Sequence, residues 1–431
     1  MPLTTLSVNN YRCFADEQAL DLRPITCLLG RNNAGKSVLA RAPLVISSGI
    51  QADSATPLDL DSLGDDIVGT FLDLIHGNRP HGSITIGLTF ETAQRDSLSA
   101  TVKVQNIDEY HTQVVSELTI TYNTDQFSLI WQGGDVTGDT VEYVISGPGF
   151  ERRDTPVSVA FQGLLPKSIQ PDRIDAPEFD ALISVCDKIR LEFDQIRYLG
   201  PFRERPSRFY RIPSKMPKDV GQSGENTAGI LATDLVRNQG GLIKFINDRF
   251  SSNLPGWSIG TMETAGLYNI VLQSKTDPGI RVNLADTGTG IAQALPIFVQ
   301  RALDGYYSAT HNVLELVEQP ELHLHPAAHG ALADLYISAI TDTKTRFVIE
   351  THSETFLLRL RRRIAEGEVD AADVAIYFVD NANGRGSTRR IRVDETGNLD
   401  YWPEGVFSED YHEARKLALA QMSAIEDRSA H

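Results

Sequence analysis

The stretch "ITCLLGRNNAGKSVLARAPLVI" constrains this chain of 431 residues more than any other. Its centre, GRNNAGKS at residues 30–37, fits the pattern G-x-x-x-x-G-K-[ST], with an apolar strand before it at 25–29 and an amphipathic helix after it. An ordinary glycine turn before a helix is the bland alternative, and the flanking elements argue against it. In a phosphate loop of this kind the backbone N–H groups of Gly30, Asn32, Asn33, Ala34 and Gly35 would hold phosphates. Lys36 would balance charge on the β and γ groups, and Ser37 would ligate Mg²⁺, so the expected ligands are ATP and Mg²⁺.

Composition sets the outer limits. The length predicts two or three folding units, or one large domain carrying an insertion. Apolar residues at 41% and charged residues at 23% exclude a disordered or fibrous chain. No apolar run reaches the roughly 18 residues of a membrane helix, and "MPLTTLSVNNYRCF" lacks a signal-peptide layout, so no membrane association and a cytoplasmic location are expected. Cys13, Cys27 and Cys186 show no paired spacing, which argues against disulfides and thiolate zinc sites. A net charge of -17 argues against a surface that coats nucleic acid, leaving only local basic patches.

Along the chain, the first strand–loop–helix block gives way near residue 83 to short β-rich runs, "SITIGLTF", "ATVKVQN", "SELTITY", "FSLIW" and "VEYVI". These predict an antiparallel lobe. Helices are expected over 178–195 and over "AGILATDLVRNQGGLIKFINDRF". The last third alternates strand and helix as a covered, mainly parallel sheet does. No heptads occur, which removes long coiled-coil arms. The expected division is 1–80 for the first part of a nucleotide-binding domain, 81–255 for a β-rich and helical insertion, and 256–431 for the rest of that domain.

Other residues carry candidate chemistry. The apolar strand "NVLELV" ends in Glu318, where a nucleotide-binding sheet places the acid that supports Mg²⁺. The next residue, at the position of a general base, is Gln319, whose amide can orient water but cannot take its proton. Hydrolysis is therefore expected to be slow, or to use another base or an assembled state. His323 and His325 with Glu321 invite a metal reading, yet no further His or Cys cluster completes a site, so they are read as shaping the turn. His352 in "ETHSE" stands where a γ-phosphate contact belongs, and "DTGTG" at 286–290 is a glycine-rich turn opening a helix. Arg197, Arg203, Arg205, Arg208 and Arg211, interleaved with aromatics, fit a nucleic-acid backbone, an acidic partner surface or a solvated loop equally well. "LRLRRR" at 358–363 reads as the C-terminal end of a helix.

Taken in order, "GRNNAGKS", "DTGTGIAQALPI", "LELVEQPELHLHPAAHGALADL", "ETHSETFLLRL" and "GNLDYWPEGVF" resemble the ABC-type ATPases of the overcoming-lysogenisation-defect (OLD), RecF and SMC-like group. The resemblance covers roughly residues 1 to 80 and 196 to 425 and is similar in pattern to a short bacterial branch without a Toprim nuclease domain. It implies an α/β ABC-type P-loop domain with a β-rich plus helical insertion. It makes Lys36 and Ser37 the Walker A pair, Glu318 the Walker B acid, Gln319 the catalytic-glutamate position and His352 the switch histidine. Asp286, Thr287, Gly288 and Gly290 resemble the signature turn that closes a second subunit's site, although the wording departs from Leu-Ser-Gly-Gly-Gln. No clear Q-loop glutamine is identifiable, and "GTFLDLIHGN" at 69–78 occupies its approximate place. The implied behaviour is a slowly hydrolysing ATPase that assembles as a dimer or ring of dimers and holds a separately encoded effector such as a nuclease, in antiviral defence. The alternatives are a RecF-like clamp on DNA through residues 197–211 and a nucleotide-bound scaffold without turnover.

Overall fold

A computed structural model describes residues 2–64, 66–91, 96–136, 138, 140–150, 156–170, 177–249, 256–307, 312–403, 413 and 415–421. The phosphate-loop strand, Ile25–Gly30, lies inside a six-stranded sheet and is buried at every position. The order across that sheet is Gln195–Leu199, Val313–Glu318, Thr345–Glu350, Ile25–Gly30, Val374–Ala382, Arg385–Ile391. The first five run parallel and the last antiparallel. Such strands read as continuous apolar runs because both faces are covered. Side chains alternate in direction along a strand. Ile25, Cys27 and Leu29 accordingly enter one core with the helices Thr289–Tyr307, Pro326–Asp342 and Glu354–Ala365, while Leu28 enters the other.

That second core is shared with a nine-stranded antiparallel sheet running in order from Leu165–Gln170 and Val157–Gln162 to Leu3–Asn9 and Gln18–Asp21. The five β-rich runs seen in the sequence form its middle strands, and Ser83–Glu91 alternates buried and half-buried positions as a strand with one covered face does. The helix Pro177–Glu192 sends Leu182, Cys186 and Ile189 into the same core. A small sheet, Trp257–Thr264, Leu267–Ser274 and Arg281–Asn283, completes the fold.

Sheet membership cuts across the three-part division expected from sequence. Leu3–Asn9 pairs with Ser83–Glu91 in the antiparallel sheet, and Gln195–Leu199, inside the segment 81–255, pairs with Val313–Glu318 in the nucleotide sheet. The short length of Gln195–Leu199 and its charged interior hide this in the sequence. The expected single helix across "AGILATDLVRNQGGLIKFINDRF" is two, Thr227–Asn238 and Gly241–Arg249, because Gln239 and Gly240 adopt φ values of 54° and 76°. Residues 69–78 include a 3-10 turn, Phe71–Leu74, tied to the segment after the first strand: Arg12 N donates to Leu74 O and His76 N to Asn10 O. The segment leading away from the strand beside Glu318 is 200–205. Among the described residues the longest helix, Thr289–Tyr307, has 19 residues, too short for coiled-coil arms. Among them, no helix is long and apolar enough to cross a membrane.

Candidate functional site

The loop after Ile25–Gly30 is built on two glycines that no other residue replaces. Gly30 has φ 149°, and a Cβ there would lie 2.1 Å from the Val379 carbonyl oxygen. Gly35 has φ 103°, and a Cβ would lie 2.5 Å from Cys13 Sγ. Between them Asn33 takes φ 63°, Ala34 is buried, and Asn32 and Asn33 are exposed. Lys36 is buried, and its ammonium folds back to donate to Gly30 O at 3.1 Å and Arg31 O at 2.8 Å. Burial lowers its pKa, opposed by the neighbouring Glu350 carboxylate. The helix runs Lys36–Ala40 and resumes at Ala42–Ile50, with Arg41 between.

Arg41 turns back to the end of the next strand but one. Its Nε and Nη2 donate to the two carboxylate oxygens of Glu318 at 2.5 and 2.8 Å, and the Tyr198 hydroxyl donates to the first of them at 3.1 Å. Paired donors of this kind are the strong form of the arginine–carboxylate contact. Glu318 is buried, so its charge is held by Arg41 and Tyr198. Gln319 follows with φ 44°, an uncommon value for a residue with a side chain, immediately before Pro320. Its N–H donates to Glu350 O at 2.8 Å, and the guanidinium of Arg203 donates to the carbonyls of Glu318 and Gln319 at 3.2 and 3.4 Å. Backbone and side chains together fix this turn.

The strand Thr345–Glu350 brings two more groups. Glu350 lies opposite Glu318 in parallel register and opposite Leu28 of the phosphate-loop strand, with Ser37 within hydrogen-bonding reach of its carboxylate. Burial pushes its pKa up, the Ser37 hydroxyl draws it down, and the Glu318 charge raises it further. His352 sits just beyond; its N–H donates to Glu321 Oε1 at 2.6 Å, and burial with the Lys36 charge lowers its pKa. Burial likewise raises Glu321. The Ser37 hydroxyl and the Glu350 carboxylate thus meet beside Lys36, next to the Arg41-bound Glu318, and such oxygens suit a hard divalent cation and a phosphate chain.

The remaining expected residues lie elsewhere. Asp286, Thr287, Gly288 and Gly290 span the turn opening Thr289–Tyr307; a Cβ on Gly290 would lie 3.0 Å from His323 O, and Asp286 forms a two-point ion pair with Arg208. His325 is the N-cap of Pro326–Asp342, accepting from Ala327 N at 3.2 Å. Of the arginine-rich segment, Arg197 is ion-paired with Asp304 and Arg203 is buried under the Gln319 turn, so neither faces a nucleic-acid backbone. Arg205 and Arg211 are exposed. Arg362 and Arg363 close the helix Glu354–Ala365, with Arg363 bound to Asp334, Glu366 and Glu368. The last quoted segment of the resemblance lies outside the described residues from 404 onward.

Sequence reasoning missed Arg41 and Glu350, and it read Tyr198 and Arg203 as parts of a segment facing nucleic acid, a partner or solvent. Only Glu350 carried a signal: an acid closing the apolar run "FVIE" one strand over from Glu318.

A parallel sheet whose central strand feeds a glycine loop and a buried lysine, with two acid-ended strands to one side of it, defines a P-loop α/β nucleotide-binding protein. The sequence matches the AAA ATPase domain family over residues 1–128 and 229–357, and the chain belongs to that family. Residues 369–417 match a family of unknown function, DUF3696. The Old nuclease of Escherichia phage P2 is 21% identical over 375 residues, 82% of this chain and 57% of that protein, so the chain spans just over half the length of this curated relative. Among solved structures, the SMC head bound to the C-winged helix domain of ScpA aligns with 92% of this chain and 99% of that one, at 12% identity and TM-score 0.48. The SMC head domain from Thermotoga maritima aligns with 91% and 100%, at 12% identity and TM-score 0.41. The fold assignment rests on the strand order and the family match.

Proposed function

We propose that the chain binds ATP with Mg²⁺ and works as a slowly turning switch. ATP would close a head-to-tail dimer, or a ring of such dimers, between the phosphate loop of one copy and the turn Asp286, Thr287, Gly288, Gly290 of another. The closed state would hold a separately encoded effector, and hydrolysis would release it. Gln319 is the observation that carries this reading: a neutral amide stands in the general-base position, and its backbone is pinned by Glu350 O and Arg203. Ser37 and the strand-end acids beside it would hold the metal, and His352 would meet the γ-phosphate. The relative's name, Old nuclease, supports an effector that cuts nucleic acid, and a role in bacterial defence against phage follows from the same resemblance.

The test measures mass in solution with and without ATP and Mg²⁺, alongside single-turnover hydrolysis. Larger assemblies only with ATP, their loss in Lys36→Ala, and turnover well below one per second support the switch. Rapid turnover, or assemblies indifferent to ATP, sinks it. ATP-stimulated, salt-dependent binding of duplex DNA by the chain alone would favour the clamp instead.

A further inference from the structure

We infer that Glu350 is a metal-binding carboxylate of the nucleotide site, and that it carries the unpaired oxygen which Glu318 lacks. The inference rests on the Mg²⁺–ATP reading and refines which residue meets the cation.

The two acids end neighbouring parallel strands at matched positions, so they project to the same face of the sheet. Their surroundings differ. Both oxygens of Glu318 are engaged, by Arg41 at 2.5 and 2.8 Å and by Tyr198 at 3.1 Å. Glu350 is 2% exposed, and its Oε2 has no hydrogen-bond partner. An acid kept only for packing would spend that oxygen on a donor, since a buried unpaired carboxylate oxygen is costly. The nearest cation does not supply one: the Lys36 ammonium points instead at Gly30 O and Arg31 O. The register with Leu28 sets Glu350 two residues short of the phosphate loop, and Ser37, the first hydroxyl of the loop's helix, reaches it. A hard divalent cation takes such oxygens: a hydroxyl, a carboxylate and phosphate. Glu318, bound to Arg41, would then position the helix carrying Ser37 and leave the cation to its neighbour.

The test is ATP binding by calorimetry in EDTA and in Mg²⁺, with Mn²⁺ binding followed by electron paramagnetic resonance. E350Q should lose about tenfold or more of the Mg²⁺ enhancement, read as the ratio of its own affinities in Mg²⁺ and in EDTA, with a matching loss in Mn²⁺ affinity. E318Q should keep the larger part of that enhancement. Full enhancement in a folded E350Q overturns the inference, as does an unaltered chain that binds ATP with no response to Mg²⁺. An unaltered chain that binds no ATP in either condition overturns the nucleotide reading itself. Should E350Q fail to fold, E350D keeps the charge on a shorter arm and should weaken Mn²⁺ binding; unchanged Mn²⁺ affinity overturns the inference.

Discussion

Behind the Glu318 strand, four charges are buried together, and removing one of them should be felt throughout the sheet. Arg301 and Glu315 are each 3% exposed, Asp304 7% and Arg197 10%. Arg301 pairs with Glu315 and, at 3.0 Å, with Asp304; Arg197 reaches Asp304 at 2.7 Å and Glu315 at 3.6 Å. Glu315→Ala leaves two guanidiniums sharing one carboxylate. Breaking a buried pair costs about 3–5 kcal/mol, because a charge is left uncompensated. Arg197 and Glu315 also border a cavity of about 300 Å³, where water can partly solvate the orphan, so the lower figure applies. At about 1 °C per kcal/mol for a chain of 431 residues, the melting temperature without nucleotide should fall by about 3 °C. Thermal unfolding of Glu315→Ala checks this, and the pair Arg301→Met with Glu315→Leu should recover most of the loss. A fall under about 1 kcal/mol would refute the claim that these charges are desolvated.

Two further outcomes follow from the site. Gln319→Glu puts a carboxylate on a backbone that Glu350 O and Arg203 already hold, so single-turnover hydrolysis should rise about a hundredfold and the ATP-held assembly should shorten in life; unchanged turnover in a folded variant counts against the slow-switch argument. Glu321 has a folded pKa raised by burial, so the folded state binds the proton more tightly and stability from this group falls as pH rises above 4.5 through the folded value. Denaturant titrations from pH 4 to pH 7 should show a downward slope that Glu321→Gln reduces, and an equal slope in both would remove Glu321 as its cause.

How far the sequence carries depends on how local each signal is. The phosphate loop was legible because its lysine, glycines and flanking strand are contiguous, and the β-rich lobe because alternation over Ser83–Glu91 and its successors is a period-two pattern. The edge strand Gln195–Leu199 was not, since its identity comes from pairing with Val313–Glu318, more than a hundred residues on. Arg203 looked like a surface cation in an arginine-rich run; tertiary contacts with the carbonyls of Glu318 and Gln319 decide its burial. Arg41 is likewise meaningful only once the fold brings it to Glu318.

The central position of Ile25–Gly30 has a consequence for how the chain is made. Both of its sheet neighbours, Thr345–Glu350 and Val374–Ala382, leave the ribosome at least about 320 residues later. At roughly 5–20 residues per second, a strand buried at every position in the finished protein waits tens of seconds for its partners. The antiparallel lobe, whose strands pair mostly with their sequence neighbours, can form in that interval and shelter Leu28. The nucleotide site is therefore shaped only once Val374–Ala382 has emerged, and a chain truncated before that strand carries the phosphate-loop sequence without the sheet that shapes it.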